Sequence, residues 1–256
     1  MYQQERISEI LKILKSVHYV TVEHLVEQIR YSPASIRRDL SVLEKQGLIK
    51  RTYGGAELLD DGKAPYKFRK HSMKYEKNKI AAAAAKLVRD GDTVFIDAST
   101  TACCMENYLS AKKDICVITN SMVLTSSLKE QGIEVYCTGG EPVELPGTLT
   151  GAVAANTFSM FHADIMFFST DGVDSDGKIY VLPEGHYVVN KSMLENSDKH
   201  VFLCGSNKIG KKSKRVQCTL NDIDYFICDE TPGMELMKKF KNTEFIKTGA
   251  ENESNS

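Results

Sequence analysis

Apolar residues recur at helical spacing along the first fifty residues of the chain. The pattern predicts three successive helices, over residues 5–15, 22–29 and 33–46. In the third helix Ile36, Leu40 and Leu43 are four and three residues apart, so they share one face. Only Arg30 and Tyr31 separate the second helix from Ser32. This short turn is typical of a helix-turn-helix.

The third predicted helix has recognisable ends. Ser32 is suited to cap it, because its hydroxyl can accept a hydrogen bond from an amide that has no partner within the helix. Pro33 suits the first turn, since proline has no amide to leave unpaired. Gly47 suits the left-handed conformation in which many helices end. The segment is therefore a well-delimited amphipathic helix.

The other face of this helix is cationic near its first turn. Residues 48–52 follow it as a predicted strand and residues 53–56 as a turn, which together form a basic wing. This combination predicts a winged helix that places its third helix in the major groove of DNA. Arginine commonly reads guanine by a bidentate contact, and the other polar side chains fix the register on the phosphates. The predicted DNA-binding residues are Ser32, Pro33, Ser35, Arg37, Arg38, Lys50, Arg51 and Tyr53.

Charge supports this interpretation. Residues 1–56 carry nine Lys and Arg against six Asp and Glu, whereas the whole chain is formally −1. Adjacent arginines also occur on ordinary solvated helix faces, and three-helix patterns also occur in protein-interaction modules. The agreement of cap, stripe, arginines and wing favours DNA.

Beyond residue 79, helix and strand patterns alternate. Helices are predicted over 80–89, 102–109 and 121–130, and strands over 93–97, 115–119, 133–137, 165–168, 201–204, 225–228 and 244–247. Short, continuously apolar strands between helices indicate a parallel sheet covered on both faces. The predicted fold class is therefore α/β, with a small N-terminal winged helix and a larger Rossmann-like domain.

Polar residues follow several of these strands. Ligands bind at the carboxyl ends of strands in such sheets, and the hydroxyls and amides of residues 97–101 would gather at a helix start, where an anion is favoured. Two aspartates can accept hydrogen bonds from sugar hydroxyls, and two lysines can serve as counter-charges. The predicted effector-binding residues are Asp97, Ser99, Thr100, Thr101, Thr119, Asn120, Gly139, Gly140, Asp171, Gly172, Lys191 and Lys208.

Composition sets the remaining expectations. The chain has 256 residues and seven cysteines, without a C-x-x-C pair that would suggest zinc. No apolar stretch approaches the roughly 20 residues of a membrane helix, and no secretory signal precedes the first helix, so a cytoplasmic location is expected. We predict no cofactor and no metal.

Four segments are expected along the chain: residues 1–57, a linker over 58–78, residues 79–248 and a polar tail over 249–256. The linker carries a basic run. It is either a solvated connector or a segment that passes close to the DNA backbone and adds non-specific affinity.

Residues 35–40 (SIRRDL), 43–48 (LEKQGL) and 51–56 (RTYGGA) resemble the N-terminal domain of the DeoR family of bacterial transcription regulators. The resemblance implies a winged helix-turn-helix joined to a sugar-phosphate-sensing domain related to ribose-phosphate isomerases. It further implies a homodimer or homotetramer that represses a carbohydrate uptake or catabolic operon until a sugar phosphate binds, and that is associated with the nucleoid when bound to its operator.

The resemblance continues to about residue 229, with three departures. Ser99 stands where the family commonly has glycine, Tyr187 where it has glutamate, and Gly205 where it has aspartate. The loss of two carboxylates implies an unusual ligand or a weakened response.

A second interpretation is an isomerase-like enzyme with an accessory N-terminal module. It needs a base and an acid close to the substrate. Asp97 or Asp171 would be the base, and His162, Glu184 or His186 the acid.

Overall fold

The computed structural model describes residues 3–17, 19–59, 66–71, 73–144, 147–181 and 184–248. The chain divides into two compact units, Met1–Ser72 and Met73–Ser256. Of the helices in the described ranges, none has the length and apolar character needed to cross a bilayer.

The first unit combines helices with a small antiparallel sheet. Its elements are α1 (Gln3–Val17), β1 (Tyr19–Thr21), α2 (Val22–Ile29), α3 (Pro33–Lys45), β2 (Ile49–Thr52), β3 (Gly55–Leu58) and α4 (Tyr66–His71). The strands lie in the order β1-β3-β2. This is a winged helix-turn-helix, as predicted.

The predicted apolar stripe of α3 forms the centre of this unit. Ile36, Leu40 and Leu43 are fully buried and pack with residues of α1, α2 and β2. The predicted helix ends are also confirmed. The Ser32 hydroxyl accepts a hydrogen bond from the Ser35 amide at 3.3 Å, and Gly47 has a φ of 70°.

The wing differs from the prediction. Only two residues, Tyr53 and Gly54, form its turn, and Gly55 already begins β3, which also pairs with the unpredicted β1. Gly54 has a φ of 85°, which favours glycine. A Cβ on Gly55 would lie 2.5 Å from the Val20 carbonyl oxygen, so glycine permits the close approach of β1. In the sequence Gly54 and Gly55 indicate a loop, but in the structure Gly55 belongs to a strand.

The predicted linker, 58–78, contains regular structure. Strand β3 extends to Leu58, α4 lies within the segment, and the next helix begins at Lys74 and not at residue 80. Lysine and glutamate are good helix formers, so the polar residues 74–79 form the start of the same helix whose later residues are apolar. The linker residues 60–65 and the predicted tail, 249–256, lie outside the described residues.

The second unit is built around a parallel sheet. Its elements are α5 (Lys74–Leu87), β4 (Thr93–Ile96), a 3₁₀ helix (Ala102–Asn107), β5 (Cys116–Thr119), α6 (Met122–Glu130), β6 (Glu134–Cys137), β7 (Glu141–Glu144), β8 (Thr148–Thr150), α7 (Gly151–Ser159), β9 (Ile165–Phe168), β10 (Gly172–Val173), β11 (Lys178–Val181), α8 (Glu184–Glu195), β12 (His200–Cys204), a 3₁₀ turn (Ser206–Lys208), β13 (Arg215–Thr219), a 3₁₀ turn (Leu220–Asp222), β14 (Tyr225–Cys228), α9 (Met234–Lys239) and β15 (Glu244–Lys247).

Seven parallel strands form the main sheet in the order β15-β14-β12-β9-β4-β5-β6. Successive residues of a strand face opposite layers, since Val94 and Ile96 pack with α5 and α6 whereas Phe95 packs with α7 and α8. The predicted doubly covered α/β domain is therefore confirmed. Two small antiparallel sheets, β10-β11-β13 and β7-β8, were not predicted.

One predicted helix has a different form. Residues 102–107 form a 3₁₀ helix in place of the helix expected over 102–109. The Cys104 amide bonds to the Thr101 carbonyl and the Tyr108 amide to the Met105 carbonyl, both three residues back. This segment is too short and too tightly wound to sum to a large helix dipole.

Replacing Leu40 with alanine should destabilise the first unit by about 2–5 kcal/mol, because it leaves a cavity among fully buried side chains. Hydrogen exchange followed by mass spectrometry should show faster exchange of the α3 amides. Leu124→Ala, the same change in the core of the second unit, is the control and should leave α3 exchange unchanged. Equal α3 exchange in wild type and Leu40→Ala would contradict the assigned core.

Candidate functional site

Helix α3 is fixed by a buried carboxylate as well as by its apolar stripe. Asp39 is fully buried and accepts hydrogen bonds from the Arg6 Nε at 2.5 Å and Nη2 at 3.1 Å, and from the Gln3 Nε2 at 3.1 Å. The bond to Asp39 raises the pKa of Arg6. The Arg6 guanidinium also lies 4.6 Å from the centre of the Tyr31 ring. One arginine of α1 thus connects α3 to the turn before it.

Sequence reasoning missed this pair. The only signal was a carboxylate directly beside the apolar stripe, and nothing local identifies a partner 33 residues away.

Arg37 and Arg38 lie on the exposed side of α3, as predicted. Within the described residues, neither guanidinium makes a hydrogen bond or an ion pair. Ser32 and Ser35 are partly engaged with each other, since their hydroxyl oxygens are 3.0 Å apart. Pro33 is exposed in the first turn of α3. The start of α3 therefore offers two uncommitted cationic side chains.

The predicted wing residues have two different roles. Lys50 and Tyr53 are exposed, and Tyr53 is at the tip of the wing. Arg51 instead binds back to α3: its Nη1 donates to the Ser41 hydroxyl at 2.9 Å, and its amide donates to the Glu44 carboxylate at 3.1 Å. Arg51 therefore holds the wing against α3, a role that was not predicted.

In the second unit, the carboxyl ends of the parallel strands bring polar residues to one edge of the sheet. Asp97, directly after β4, is buried and accepts hydrogen bonds from the Ser99 amide at 3.0 Å and the Ser169 amide at 3.1 Å. Lys208, from the turn after β12, donates to the Ser169 hydroxyl at 3.0 Å. A carboxylate and an amine from separate strands thus meet at Ser169.

The turn that carries Lys208 is held by Asp229, which follows β14. Its carboxylate accepts hydrogen bonds from the Ser206 amide at 2.6 Å and the Ser206 hydroxyl at 2.8 Å. Sequence reasoning missed Asp229 and Ser169. Both directly follow a strand, so the rule that identified Asp97 applies to them as well.

The loop after β4 is a weaker anion site than predicted. The Ser99 hydroxyl accepts a hydrogen bond from the Ala102 amide at 3.2 Å and so caps the 3₁₀ helix. The amides of Thr100 and Thr101 donate no hydrogen bond within the described part of the chain, although both residues are buried. These two amides are available to an anion, but the short 3₁₀ helix adds little dipole.

Four buried side-chain oxygens that follow strands at this edge have no hydrogen-bond partner within the described residues. They are Asn120 Oδ1 after β5, Thr138 Oγ1 after β6, Thr170 Oγ1 after β9 and Thr248 Oγ1 after β15. The side-chain amide nitrogen of Asn120, Nδ2, donates a hydrogen bond to the Leu149 carbonyl oxygen at 2.8 Å, and this bond orients the side chain. The Thr119 hydroxyl is used locally and accepts from the Ser121 amide at 3.1 Å. Unpaired buried polar atoms are rare and each costs about 1–3 kcal/mol, so they mark a place where a partner fits.

The predicted glycines serve packing between chain segments. A Cβ on Gly140 would lie 2.5 Å from the Thr150 carbonyl oxygen, and one on Gly172 would lie 2.5 Å from the Lys211 carbonyl oxygen. Gly139 is exposed and lies against Val153. Their small size is explained by these neighbours and does not by itself indicate a ligand.

Lys191 is not brought into this group. It is exposed on α8 and forms an ion pair with Glu195 at 3.6 Å. Asp171 follows β9, and its amide donates to the Tyr180 carbonyl at 3.0 Å. Of the predicted counter-charges, only Lys208 contacts the set around Asp97.

At two of the positions that depart from the family, side chains of other residues lie close by. The Arg215 guanidinium lies 5.0 Å from the centre of the Tyr187 ring. At Gly205, the Asn207 Oδ1 is 2.7 Å from the place of a Cβ, so the Asn207 side chain takes the space of a side chain at 205.

One of the proposed enzyme acids, His162, is poorly placed. His162 pairs with Asp198 at 2.8 Å before β9, at the amino end of the strands and away from Asp97. Glu184 forms a 3.6 Å ion pair with Arg215, and His186 lies in the first turn of α8. Within the described ranges, no three His, Cys, Asp or Glu side chains come together as a metal site requires.

Burial raises the pKa of Asp97 from 3.8 to about 6, although hydrogen bonds from Ser99 and Ser169 and the nearby Lys208 charge partly offset this effect. A buried carboxylate with a raised pKa costs stability at neutral pH and is typical of functional sites.

A helix-turn-helix with exposed arginines and an α/β unit with a polar strand edge, in one chain, define a DNA-binding transcription regulator with a sensor unit. Comparison with known proteins agrees. A model described as "DeoR-like helix-turn-helix domain" matches residues 6–61, and one described as "DeoR C terminal sensor domain" matches residues 72–230. The chain belongs to the DeoR family of transcription regulators.

Two curated relatives match nearly the whole chain. "HTH-type transcriptional repressor GlcR" of Bacillus subtilis is 35% identical over 235 residues, which cover 91% of this chain and 90% of the relative. "Glycerol-3-phosphate regulon repressor" of Escherichia coli is 28% identical over 240 residues, which cover 93% and 95%. The predicted family and regulatory function are thus confirmed, and the enzymatic alternative is not favoured.

A ribose 5-phosphate isomerase A from Methanocaldococcus jannaschii is 19% identical and matches 54% of this chain and 55% of its own, with a TM-score of 0.40. A score this low carries no argument about activity.

Asp97 should make stability depend on pH in a defined direction. Its folded pKa, about 6, lies above the reference value of 3.8. The stability it contributes is therefore fully present below about pH 4 and is lost as the pH rises through 6, by about 3 kcal/mol for two pKa units. Urea unfolding between pH 4 and pH 8 should show this extra fall in wild type and its absence in Asp97→Asn. Parallel curves for the two proteins would contradict the raised pKa.

Proposed function

We propose that this regulator represses a carbohydrate uptake or catabolic operon and releases its operator when a phosphorylated sugar binds beside Asp97 and Lys208. The observation that carries the proposal is the Asp97–Ser169–Lys208 contact. A buried carboxylate and an amine are held together there at the carboxyl ends of three different strands.

For DNA, α3 lies in the major groove with its first turns towards the bases. Arg37 and Arg38 contact base edges or phosphates, and Ser32, Pro33, Ser35, Lys50 and Tyr53 approach the phosphate backbone. All of these residues are exposed except Ser35, which is half-buried, and this supports the arrangement. Arg51 contributes by holding the wing to α3, and the whole contact is sensitive to salt because it displaces counterions.

In the proposed effector site, Lys208 and Asp97 carry opposite charges and so contact different parts of the ligand. The phosphate lies near the Lys208 amine and the amides of Thr100 and Thr101, because Asp97 repels an anion when ionised. Asp97 accepts hydrogen bonds from sugar hydroxyls, and the unpaired oxygens of Asn120 and Thr170 are further partners. The E. coli relative is named for a glycerol-3-phosphate regulon, which is consistent with a small phosphorylated ligand.

Assembly completes the proposal. Each chain has one recognition helix, and two half-sites about one helical turn apart require a homodimer or a homotetramer. The effector releases DNA to the extent that it binds the DNA-incompetent arrangement more tightly. The proposed place of action is the bacterial cytoplasm, at the nucleoid when the operator is bound.

Arg38→Ala should weaken operator binding about 10- to 100-fold and leave the fold intact, because the loss of one arginine contact to DNA costs about 1–3 kcal/mol. The test is fluorescence anisotropy with a DNA duplex that wild-type protein selects from a random pool. Lys12→Ala removes an exposed positive charge from α1 and is the control. Equal affinity of Arg38→Ala, Lys12→Ala and wild type would contradict the assigned face.

Lys208→Ala should bind the operator normally but respond less to effector, because it removes the amine that lies beside Asp97 and Ser169. Release should be titrated with glycerol 3-phosphate, ribose 5-phosphate and glucose 6-phosphate, and the most effective compound should require at least tenfold more for Lys208→Ala. Lys191→Ala removes an exposed lysine already paired with Glu195 and is the matched control. Release of Lys208→Ala at wild-type effector concentrations would place the effector elsewhere.

A further inference from the structure

Three neighbouring strands of the main sheet, β4, β5 and β6, are each followed directly by a buried polar residue. These residues are Asp97, Asn120 and Thr138. The strands are parallel and their last residues are in register. The ladder continues past them, since the Thr138 amide donates to the Thr119 carbonyl at 2.9 Å. The three residues are therefore neighbours at a spacing of about 4.8 Å, and we call Asp97, Asn120 and Thr138 the polar row.

The polar row faces α7. Alternate residues of a strand share one face, and Phe95, two residues before Asp97, packs against Phe158 of α7 with 4.9 Å between ring centres. Asn120 is also bonded to the chain just before α7, because its Nδ2 donates to the Leu149 carbonyl at 2.8 Å. The side chains of the row are therefore directed towards α7, and Asn120 lies beside the start of that helix.

The start of α7 has no side-chain cap. The first amides of an α-helix have no partner within the helix and carry a positive partial charge. The Thr150 hydroxyl, directly before α7, donates to the Glu141 carbonyl at 3.4 Å and makes no capping bond. A Cβ on Gly185 would lie 2.8 Å from the Thr150 Oγ1 and 3.6 Å from the Gly151 amide nitrogen. Glycine at 185 therefore leaves the space beside this amide unfilled, and Ala152 in the same turn is exposed.

The row itself also indicates a ligand. Asn120 Oδ1 and Thr138 Oγ1 have no hydrogen-bond partner in the part of the chain that the structure describes, although each residue is only 2% exposed. The Asn120 oxygen can only accept, so its partner must be a donor, such as a sugar hydroxyl. The uncapped helix and the unpaired oxygens are independent observations, and together they fit a polyol that ends in an anionic group.

We propose that the start of α7 binds a second anionic group of the effector, so that the effector is a sugar phosphate with a further phosphate or carboxylate. This assignment rests on the proposed function, which places the first phosphate at Lys208. Lys208 contacts Ser169 after β9, and Asn120 follows β5, two strands away in the order β9-β4-β5. Two strand spacings are about 10 Å. One phosphate cannot contact both places, whereas the two ends of one sugar chain can.

The charges near this place are compatible with a second anion. Glu141 and Glu184 are both exposed, so water screens their charge, and Glu184 is paired with Arg215 at 3.6 Å. Asp97 lies in the row between the two anionic ends of the ligand, where it accepts hydrogen bonds from the sugar hydroxyls. The carboxylate and the two anions therefore contact different parts of the site.

The first test is calorimetric titration of the full-length protein, without DNA, with two pairs of compounds. Fructose 1,6-bisphosphate differs from fructose 6-phosphate by a second phosphate, and 6-phosphogluconate differs from glucose 6-phosphate by a carboxylate. In at least one pair, the compound with the second acidic group should bind at least about tenfold more tightly, because charge-assisted hydrogen bonds are strong. The pair that shows this preference identifies the second group as a phosphate or a carboxylate. Absence of the preference in both pairs overturns the proposal.

The second test places a negative charge at the start of α7, whose first turn contains no acidic residue. Ala152→Asp should keep the fold, since acidic residues stabilise a helix start. It should abolish the preference for the second acidic group and leave the affinity for the matched monophosphate unchanged. Asn156→Asp adds the same charge at an exposed position one turn later and is the control, which should keep the preference. A preference that persists in Ala152→Asp, or that is lost equally in Asn156→Asp, overturns the proposal.

The two proposals fail in different ways. If wild type shows the preference and Ala152→Asp loses it, but no compound releases selected DNA, the second anion site stands and the proposed function fails. If a monophosphate releases DNA and Lys208→Ala resists it, but neither pair shows a preference, the proposed function stands and the second anion site is wrong. If both are right, the compound with the second acidic group should release DNA at a concentration at least about tenfold lower than its matched monophosphate.

Discussion

Helix α3 presents two arginines to solvent because its opposite side is held by apolar packing and by a buried ion pair. Ile36, Leu40 and Leu43 bury the apolar stripe, and Asp39, between them, binds Arg6 of α1. A buried carboxylate without that partner would be costly, so α3 keeps one rotational setting about its axis. In that setting Arg37 and Arg38 point to solvent. The Arg51 contacts to Ser41 and Glu44 then fix the wing relative to the same helix.

The second unit depends on a similar conflict between burial and charge. Seven parallel strands end at one edge, so polar residues far apart in sequence come together there. Asp97 is buried at a cost in stability that its backbone partners only partly offset. Asn120, Thr138 and Thr170 each keep an unpaired oxygen near the same edge. A structure optimised for stability alone would remove such groups, so their presence supports the proposed binding site at this edge.

Features governed by local periodicity could be predicted from the sequence. The stripe of α3, its cap at Ser32 and the alternation of helices with buried strands follow from neighbouring residues, and all are confirmed. The residues after β4 and β5 could be chosen because strand ends in such sheets have a known role.

Features that depend on distant partners could not be predicted. Nothing near Asp39 reveals Arg6, and nothing near Arg51 shows that its side chain returns to α3. In the sequence Gly55 indicates a turn, but in the structure it allows β1 to lie close to β3. In the sequence Gly140 suggests a ligand site, but in the structure Thr150 takes up the space beside it. Lys191 and Lys208 are equivalent as counter-charges in the sequence, and only the fold separates them.

The most direct measurement is a structure of the full chain bound to its selected operator. We expect α3 in the major groove, with Arg37 and Arg38 within hydrogen-bond distance of bases or phosphates. A complex in which both arginines face away from the DNA would contradict it.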